Sequence, residues 1–257
     1  MQTHVRFERD GDIGYLVLAC DEPGKPPTLD FQTLDELEQR IGEVRSTDDL
    51  CAVIVKSDSE KYFVVGANIN ALMTLNTETI VPWVQRGHVV LNQLAALPLP
   101  VIARVEGFCL GGGLELAMAC DLIVASRNAK LGQPEANLGL VAGWGGCHRL
   151  PRRVGAARAK EMFFTARILS AEEAYSIGLV DFAGDSETLQ SHMATLLQGI
   201  RSLSRMALAQ MKSLVDQSFD ITVEEDCQKE AEASRLCMLT DDTKARVTDY
   251  LENRKKR

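Results

Sequence analysis

The sequence predicts an α/β fold of parallel strands joined by crossover helices, closed by a carboxyl-terminal region that is helical throughout. Two observations predict it. Short apolar strand segments alternate with helical periodicity through the first two thirds of the chain, and strand patterns disappear from about residue 185 onward. At 257 residues the chain can bury a full core, as one large unit with a small appendage, and we place the boundary near residue 200, with 1–200 as core and 201–257 as a helical region for packing on a neighbour.

The opening reads as two strands, His4 to Glu8 and Ile13 to Ala19, joined as a hairpin at Asp10-Gly11-Asp12. After the Pro- and Gly-rich loop 21–28, Leu34, Leu37, Ile41 and Val44 recur at helical spacing, and the strand Cys51 to Val55 follows. A second helix spans about 77–97 through Ile80, Val84, Leu91 and Leu94. Pro98 and Pro100 stop it before the strand Val101 to Val105. A glycine-rich turn, a helix over 112–120 and the strand Leu122 to Ala125 continue the alternation. The helical end reads as three stretches, 186–217, 220–239 and 241–254, and the basic ending Arg254-Lys255-Lys256-Arg257 as a solvated, fraying terminus.

Charge and composition narrow the function. With 28 Lys and Arg against 36 Asp and Glu, the net charge of -8 repels nucleic acid and anionic membrane, which favours small-molecule chemistry. No apolar run approaches the roughly 18 residues of a membrane span, and the first residues lack a cationic segment followed by an apolar one, so a cytoplasmic protein is expected. Seven cysteines without a C-x-x-C pair read as buried, reduced thiols. The four histidines show no metal-ligand spacing, and the serine-hydrolase elbow, the H-E-x-x-H zinc motif and the P-loop are all missing, so no metal is expected.

Three segments carry candidate chemistry. Leu110-Gly111-Gly112-Gly113-Leu114-Glu115 follows a strand and opens a helix, but Leu116 stands where a dinucleotide loop needs its third glycine. Glycines retained there serve either close approach of a ligand to the backbone or tight packing of the turn. The unpaired amides of a helix start, Gly112 N–H among them, suit a developing negative charge. Phe63-Val64-Val65-Gly66-Ala67-Asn68-Ile69 is a second small-residue loop. In Leu131-Gly132-Gln133-Pro134-Glu135 a carboxylate follows a proline, with apolar Leu138, Leu140, Val141 and Trp144 downstream. Taken singly, Glu135 reads as a solvated loop residue and Glu115 as a charge complementing the helix dipole; a desolvated glutamate is a proton-transfer group.

In this order and spacing the three segments resemble the crotonase (enoyl-CoA hydratase and isomerase) family over nearly the whole chain. PVIARVEGFCLGGGLELAMACD (100–121) is similar to its signature, KLGQPEANLGLVAGWGGCHRLPRRVG (130–155) to its continuation, and ILSAEEAYSIGLVD to the segment beyond. The resemblance implies a spiral of repeated strand-strand-helix turns, with carboxyl-terminal helices that build a homotrimer or homohexamer. It implies an acyl-CoA substrate and no separate cofactor, because coenzyme A is part of the substrate. Carried over by motif, Ala67 and Gly112 would donate the oxyanion-hole N–H groups. Glu115 would activate water for attack at Cβ, and Glu135 would deliver a proton at Cα of an enoyl thioester. Lys25, Val65, Asn68, Ile69, Gly111 and Trp144 would contact the substrate.

The chain also departs from the family's pattern. Asn68 stands where aspartate is common, the early loop reads Pro23-Gly24-Lys25-Pro26-Pro27-Thr28-Leu29-Asp30, and Trp144 replaces a small residue, which should reshape the acyl pocket. The competing expectations are an enoyl-CoA isomerase, a hydratase for cyclic or branched dienoyl-CoA, and, from another class, an RNA-binding or scaffolding homologue. The acidic balance and the intact glutamate pair oppose the last.

Overall fold

The computed structural model describes residues 1–255, so the last two residues of the basic ending lie outside the described residues. β1 (Thr3–Asp10) and β2 (Ile13–Cys20) form the expected antiparallel hairpin, paired from Thr3↔Cys20 to Asp10↔Ile13, with Gly11 at φ 58° in its turn. The Asp30 side chain accepts the Thr33 N–H and starts α1 (Phe31–Arg45), whose face Leu34, Leu37, Ile41 and Val44 is buried.

From β3 (Ala52–Ser57) onward the chain repeats one plan. A strand is laid in a large sheet, a shorter strand in a second sheet, and a helix returns to the start. β3 leads to β4 (Tyr62–Val64), the short α2 (Ile69–Leu72) and α3 (Ile80–Ala95); β5 (Val101–Val105) leads to β6 (Phe108–Leu110) and α4 (Gly112–Met118). β7 (Leu122–Ser126) leads to β8 (Lys130–Gly132), a single 3-10 turn (Glu135–Leu138), α5 (Gly146–Val154) and α6 (Ala156–Thr165). β9 (Ile168–Ser170), α7 (Ala171–Ser176), β10 (Phe182–Gly184) and α8 (Ser186–Arg201) complete the spiral.

The large sheet runs β1-β2-β3-β5-β7-β10, parallel from β2 on; the small sheet runs β4-β6-β8-β9, parallel except for β8 against β9. Both sheets and the inner faces of α1, α3 and α4 enclose one continuous apolar core. A second cluster lies under α8, where Leu189, Met193 and Leu197 cover Ile54, Ile102 and Val124. The strands of the second sheet have three residues each, too few for a period of two to register, which is why the sequence pattern reveals none of them.

The carboxyl-terminal helices are α9 (Arg205–Gln217), α10 (Val223–Met238) and α11 (Asp241–Lys255). The stretch 186–217, expected as one helix, is two. The Ser202 N–H closes α8 onto Gln198 O, and the Ser204 side chain accepts the Ala207 N–H to restart the chain as α9. The thiol expectation also needs correction. Cys51, Cys109 and Cys120 are buried, but Cys147, in the first turn of α5, and Cys227, on α10 where Ala233 alone among the described residues is buried, are exposed. Among the described residues no helix is long and apolar enough to cross a membrane.

Candidate active site

Two neighbouring strands of the small sheet, β4 and β6, pair in parallel, and each runs into a glycine-bearing segment. Gly66 after β4 has φ 97°, and a Cβ on it would lie 3.3 Å from Leu110 O and 3.5 Å from Gly112 N. Gly111 after β6 has φ 53°, and a Cβ on Gly113 would fall 2.0 Å from Val64 O. The two readings of the glycine run divide along the chain. Gly113 is there because the start of α4 packs directly on β4, while Gly111 and Gly112 border a cavity. Among the described residues neither Ala67 N–H nor Gly112 N–H donates to a backbone carbonyl or a side chain, and both residues line that cavity.

Glu115 lies one turn into α4 and is 2 % exposed. Its Oε1 accepts the N–H groups of Trp144 and Gly146, both at 2.7 Å. Burial pushes its pKa up from 4.5 to about 7; the two amide bonds oppose that shift, and the charge of Glu135 adds to it. Glu135 opens the 3-10 turn, and burial raises its pKa as well. Gln133, buried beside it, donates to both Glu135 oxygens at 2.8 and 3.0 Å with its amide assigned in the orientation that satisfies both groups. A Cβ on Gly111 would stand 3.0 Å from Glu135 Oε1, so Glu135 lies over the turn that opens α4.

The cavity between these groups has a volume of about 160 Å³. Its polar side chains are Glu115 and Glu135, and the rest of its wall is backbone and apolar side chains from four segments: Val65, Ile69 and Leu72 after β4; Ile80, Trp83 and Val84 of α3; Leu138, Leu140 and Val141; and Trp144. Such an apolar wall strengthens the electrostatic contacts inside it.

Trp144 closes one side. Its indole Nε1 donates to Trp83 O at 3.3 Å, and its ring centroid lies 5.1 Å from that of Trp83. The ring lies against the α-carbons of Gly87 in α3 and Gly112 in α4, since a Cβ would come within 2.1 Å of it at the first and 2.7 Å at the second.

The structure thus brings Val65, Ala67, Ile69, Gly111, Gly112, Glu115, Glu135 and Trp144 to one cavity. Asn68 and Lys25 are placed differently. The Asn68 side chain accepts the N–H groups of Asn70 and Ala71 and so caps α2, and Lys25 is exposed in the loop before α1 and does not line the cavity. Sequence reasoning missed Trp83, Gly87 and Gly146. A glycine in the middle of the apolar helix α3 was the available signal for Gly87, because only a close neighbour explains it there.

A family model described as Enoyl-CoA hydratase/isomerase matches residues 13–257. The chain is 36% identical over 253 residues to a short-chain-enoyl-CoA hydratase of Clostridium acetobutylicum, covering 98% of this chain and 96% of that protein. It is also 36% identical over 239 residues to a crotonyl-CoA hydratase of Syntrophomonas wolfei, covering 93% and 92%. Among solved structures, an enoyl-CoA hydratase from Bacillus anthracis superposes with a TM-score of 0.87 at 28% identity, over 98% of this chain and 97% of that one. One from Thermoplasma volcanium does so with 0.88 at 27%, over 96% of each. With its spiral of strand, strand and helix and its helical carboxyl-terminal end, the chain belongs to the crotonase superfamily, in the enoyl-CoA hydratase/isomerase family.

Proposed function

We propose that this protein adds water reversibly across the 2,3 double bond of an enoyl-CoA thioester. The observation that carries the reading is two desolvated carboxyl groups and two unengaged backbone amides facing one apolar cavity. The relatives named as short-chain-enoyl-CoA and crotonyl-CoA hydratases support it.

The thioester oxygen accepts the Ala67 and Gly112 N–H groups, which stabilise the enolate that forms when Cβ is attacked. A donor of this kind accounts for about 100- to 1000-fold in rate. Glu115, its Oε1 held by two amides, takes a proton from water through its free oxygen as the water oxygen bonds to Cβ. Glu135, protonated at the start, gives its proton to Cα as the enolate collapses. The proton gained by Glu115 then returns to Glu135, so the pair ends as it began. A base with a pKa near 7 combines adequate ionisation with adequate basicity at neutral pH.

The carboxyl-terminal helices carry exposed Val215, Phe219, Val223, Leu239 and Tyr250, which supports assembly into homotrimers or hexamers, and light scattering of the purified protein reads that directly. The function is tested on a panel of short, long, branched and cyclic enoyl thioesters with product identification. Water addition lost in both Glu115→Gln and Glu135→Gln is the expected result. Bond migration without hydration would make the protein an isomerase, and inertness toward every thioester would remove the catalytic reading.

A further inference from the structure

The segment that holds Glu115 is itself held by a cation. Arg149, in the first turn of α5, reaches back along its own helix start. Its Nη1 donates to Trp144 O at 3.0 Å, its Nη2 donates to Asn92 Oδ1 of α3 at 2.7 Å, and its backbone N–H donates to Gly145 O at 2.7 Å. Gly145 has φ 108°, and a Cβ on it would overlap the guanidinium at 2.1 Å, so the loop is folded directly over the charge. Trp144 and Gly146, on either side of Gly145, are the two residues whose amides bind Glu115 Oε1.

Among the described arginines that are not exposed, Arg149 is also unusual in lacking a carboxylate contact. Arginines 152 and 153 on the same helix pair with Asp220 and Asp181, whereas among the described residues Arg149 forms no ion pair. A half-buried guanidinium held only by neutral acceptors carries a desolvation cost that a structural role would normally offset with a carboxylate. The acids that act on it through space are Glu115 and Asp216; Arg152 opposes it, and the nearby Cys120 favours its charge.

We propose that Arg149 is a positioning residue for the hydration step, holding the 144–146 loop so that Glu115 keeps its free oxygen aimed into the cavity and adding a positive charge to its surroundings. The proposal rests on the hydratase reading above. The groups that face Glu115 are Glu135 from the 3-10 turn, which disfavours its ionisation, and Arg149 from α5, which favours it. Cys147, next along α5, also feels both glutamates. Loss of Arg149 therefore moves the ionisation of Glu115 to higher pH, a consequence that a packing role for the arginine does not have.

The test compares kcat and KM from about pH 5 to about pH 9 for wild type, Arg149→Met, Arg149→Lys and Asn92→Ala, on a thioester that the wild type hydrates. Misplacement of a catalytic group by about 1 Å costs on the order of 100-fold, so Arg149→Met should lose about 10- to 100-fold in kcat, with KM within about 3-fold and the acid limb displaced upward. Arg149→Lys keeps the charge without the two-armed fork, so its acid limb stays with the wild type while kcat falls. Asn92→Ala removes the outer anchor alone and should lower kcat less, leaving the acid limb in place.

If Arg149→Met fails to fold, the lysine and Asn92 variants decide: wild-type kcat in both overturns the proposal. An acid limb for a folded Arg149→Met that coincides with the wild type overturns it as well. A failure of the underlying reading looks different, because then the wild type itself does not hydrate, or Glu115→Gln is as active as wild type.

Discussion

Glu115→Gln should make the protein more stable, and by an amount that depends on pH. The folded-state pKa of Glu115 is raised from 4.5 to about 7, chiefly by burial. A raised carboxyl pKa means that the unfolded chain releases this proton more readily than the folded one. The carboxyl therefore lowers stability progressively as pH climbs from 4.5 to about 7, with the full loss present above and none below. At about 1.36 kcal/mol per pH unit the loss is about 3 kcal/mol. The amide of the Glu115→Gln variant would keep the oxygen that accepts the Trp144 and Gly146 N–H groups but never ionises, so the variant should match the wild type near pH 4.5 and exceed it by about 3 kcal/mol above about pH 8. Denaturant unfolding at matched protein concentration, repeated along the pH scale, measures the difference. A difference that does not grow with pH would refute the argument that burial, rather than a compensating contact, sets this pKa. The same variant should be catalytically dead, so stability and activity move in opposite directions at one atom.

Other outcomes follow from the same geometry. Glu135→Gln should lower kcat by about 100- to 10,000-fold through loss of proton delivery, read in steady-state kinetics with the acyl-CoA binding affinity retained. Trp144→Ala removes the ring that separates the cavity from Gly87, so activity should shift toward longer or bulkier acyl chains; identical chain-length profiles for the two proteins would mean that the indole only packs the loop. Gly87→Ala places a carbon 2.1 Å from that ring and should cost about 1 to 3 kcal/mol by overpacking, with an unchanged denaturation midpoint counting against the assigned contact. Lys212→Met removes the ammonium that donates to Asp121 Oδ2 at 2.8 Å and to Leu99 O at 3.0 Å, leaving the part-buried carboxylate with the Val101 N–H and the nearby charge of Arg153. A loss of about 1 to 3 kcal/mol is expected by denaturant titration.

What can be read from the sequence, and what cannot, divides by the length over which a signal repeats. The hairpin strands β1 and β2 and helices α1 and α3 announce themselves because eight-residue strands and helices of fifteen and sixteen residues repeat their apolar period several times. The second sheet does not, because Tyr62–Val64, Phe108–Leu110 and Lys130–Gly132 are strands only by virtue of one another. The break at Ser202 is hidden because apolar residues continue at helical spacing through Leu203 and Met206, and only the Ser204 cap marks the restart. At the site, Glu115 and Glu135 are ambiguous singly, since burial, which gives both their chemistry, is a property of the walls around them. Gly87 and Trp144 are each visible, but their contact joins positions 57 apart in sequence, and no local pattern carries it. Asn68, expected to touch the ligand, has its side chain engaged in starting α2.

The two amides assigned to the thioester oxygen leave adjacent, hydrogen-bonded strands, Tyr62↔Phe108 and Val64↔Cys109. Neighbouring strands stand about 4.8 Å apart by the geometry of the peptide group itself, whatever side chains they bear. The two segments that form the anion cradle are therefore brought side by side by the repetition of the spiral. In a scaffold organised this way, the part of the reaction common to all thioesters is written in the main chain. In the function proposed above, the part that would distinguish one reaction from another rests on three side chains, Glu115, Glu135 and Trp144, set around that cradle.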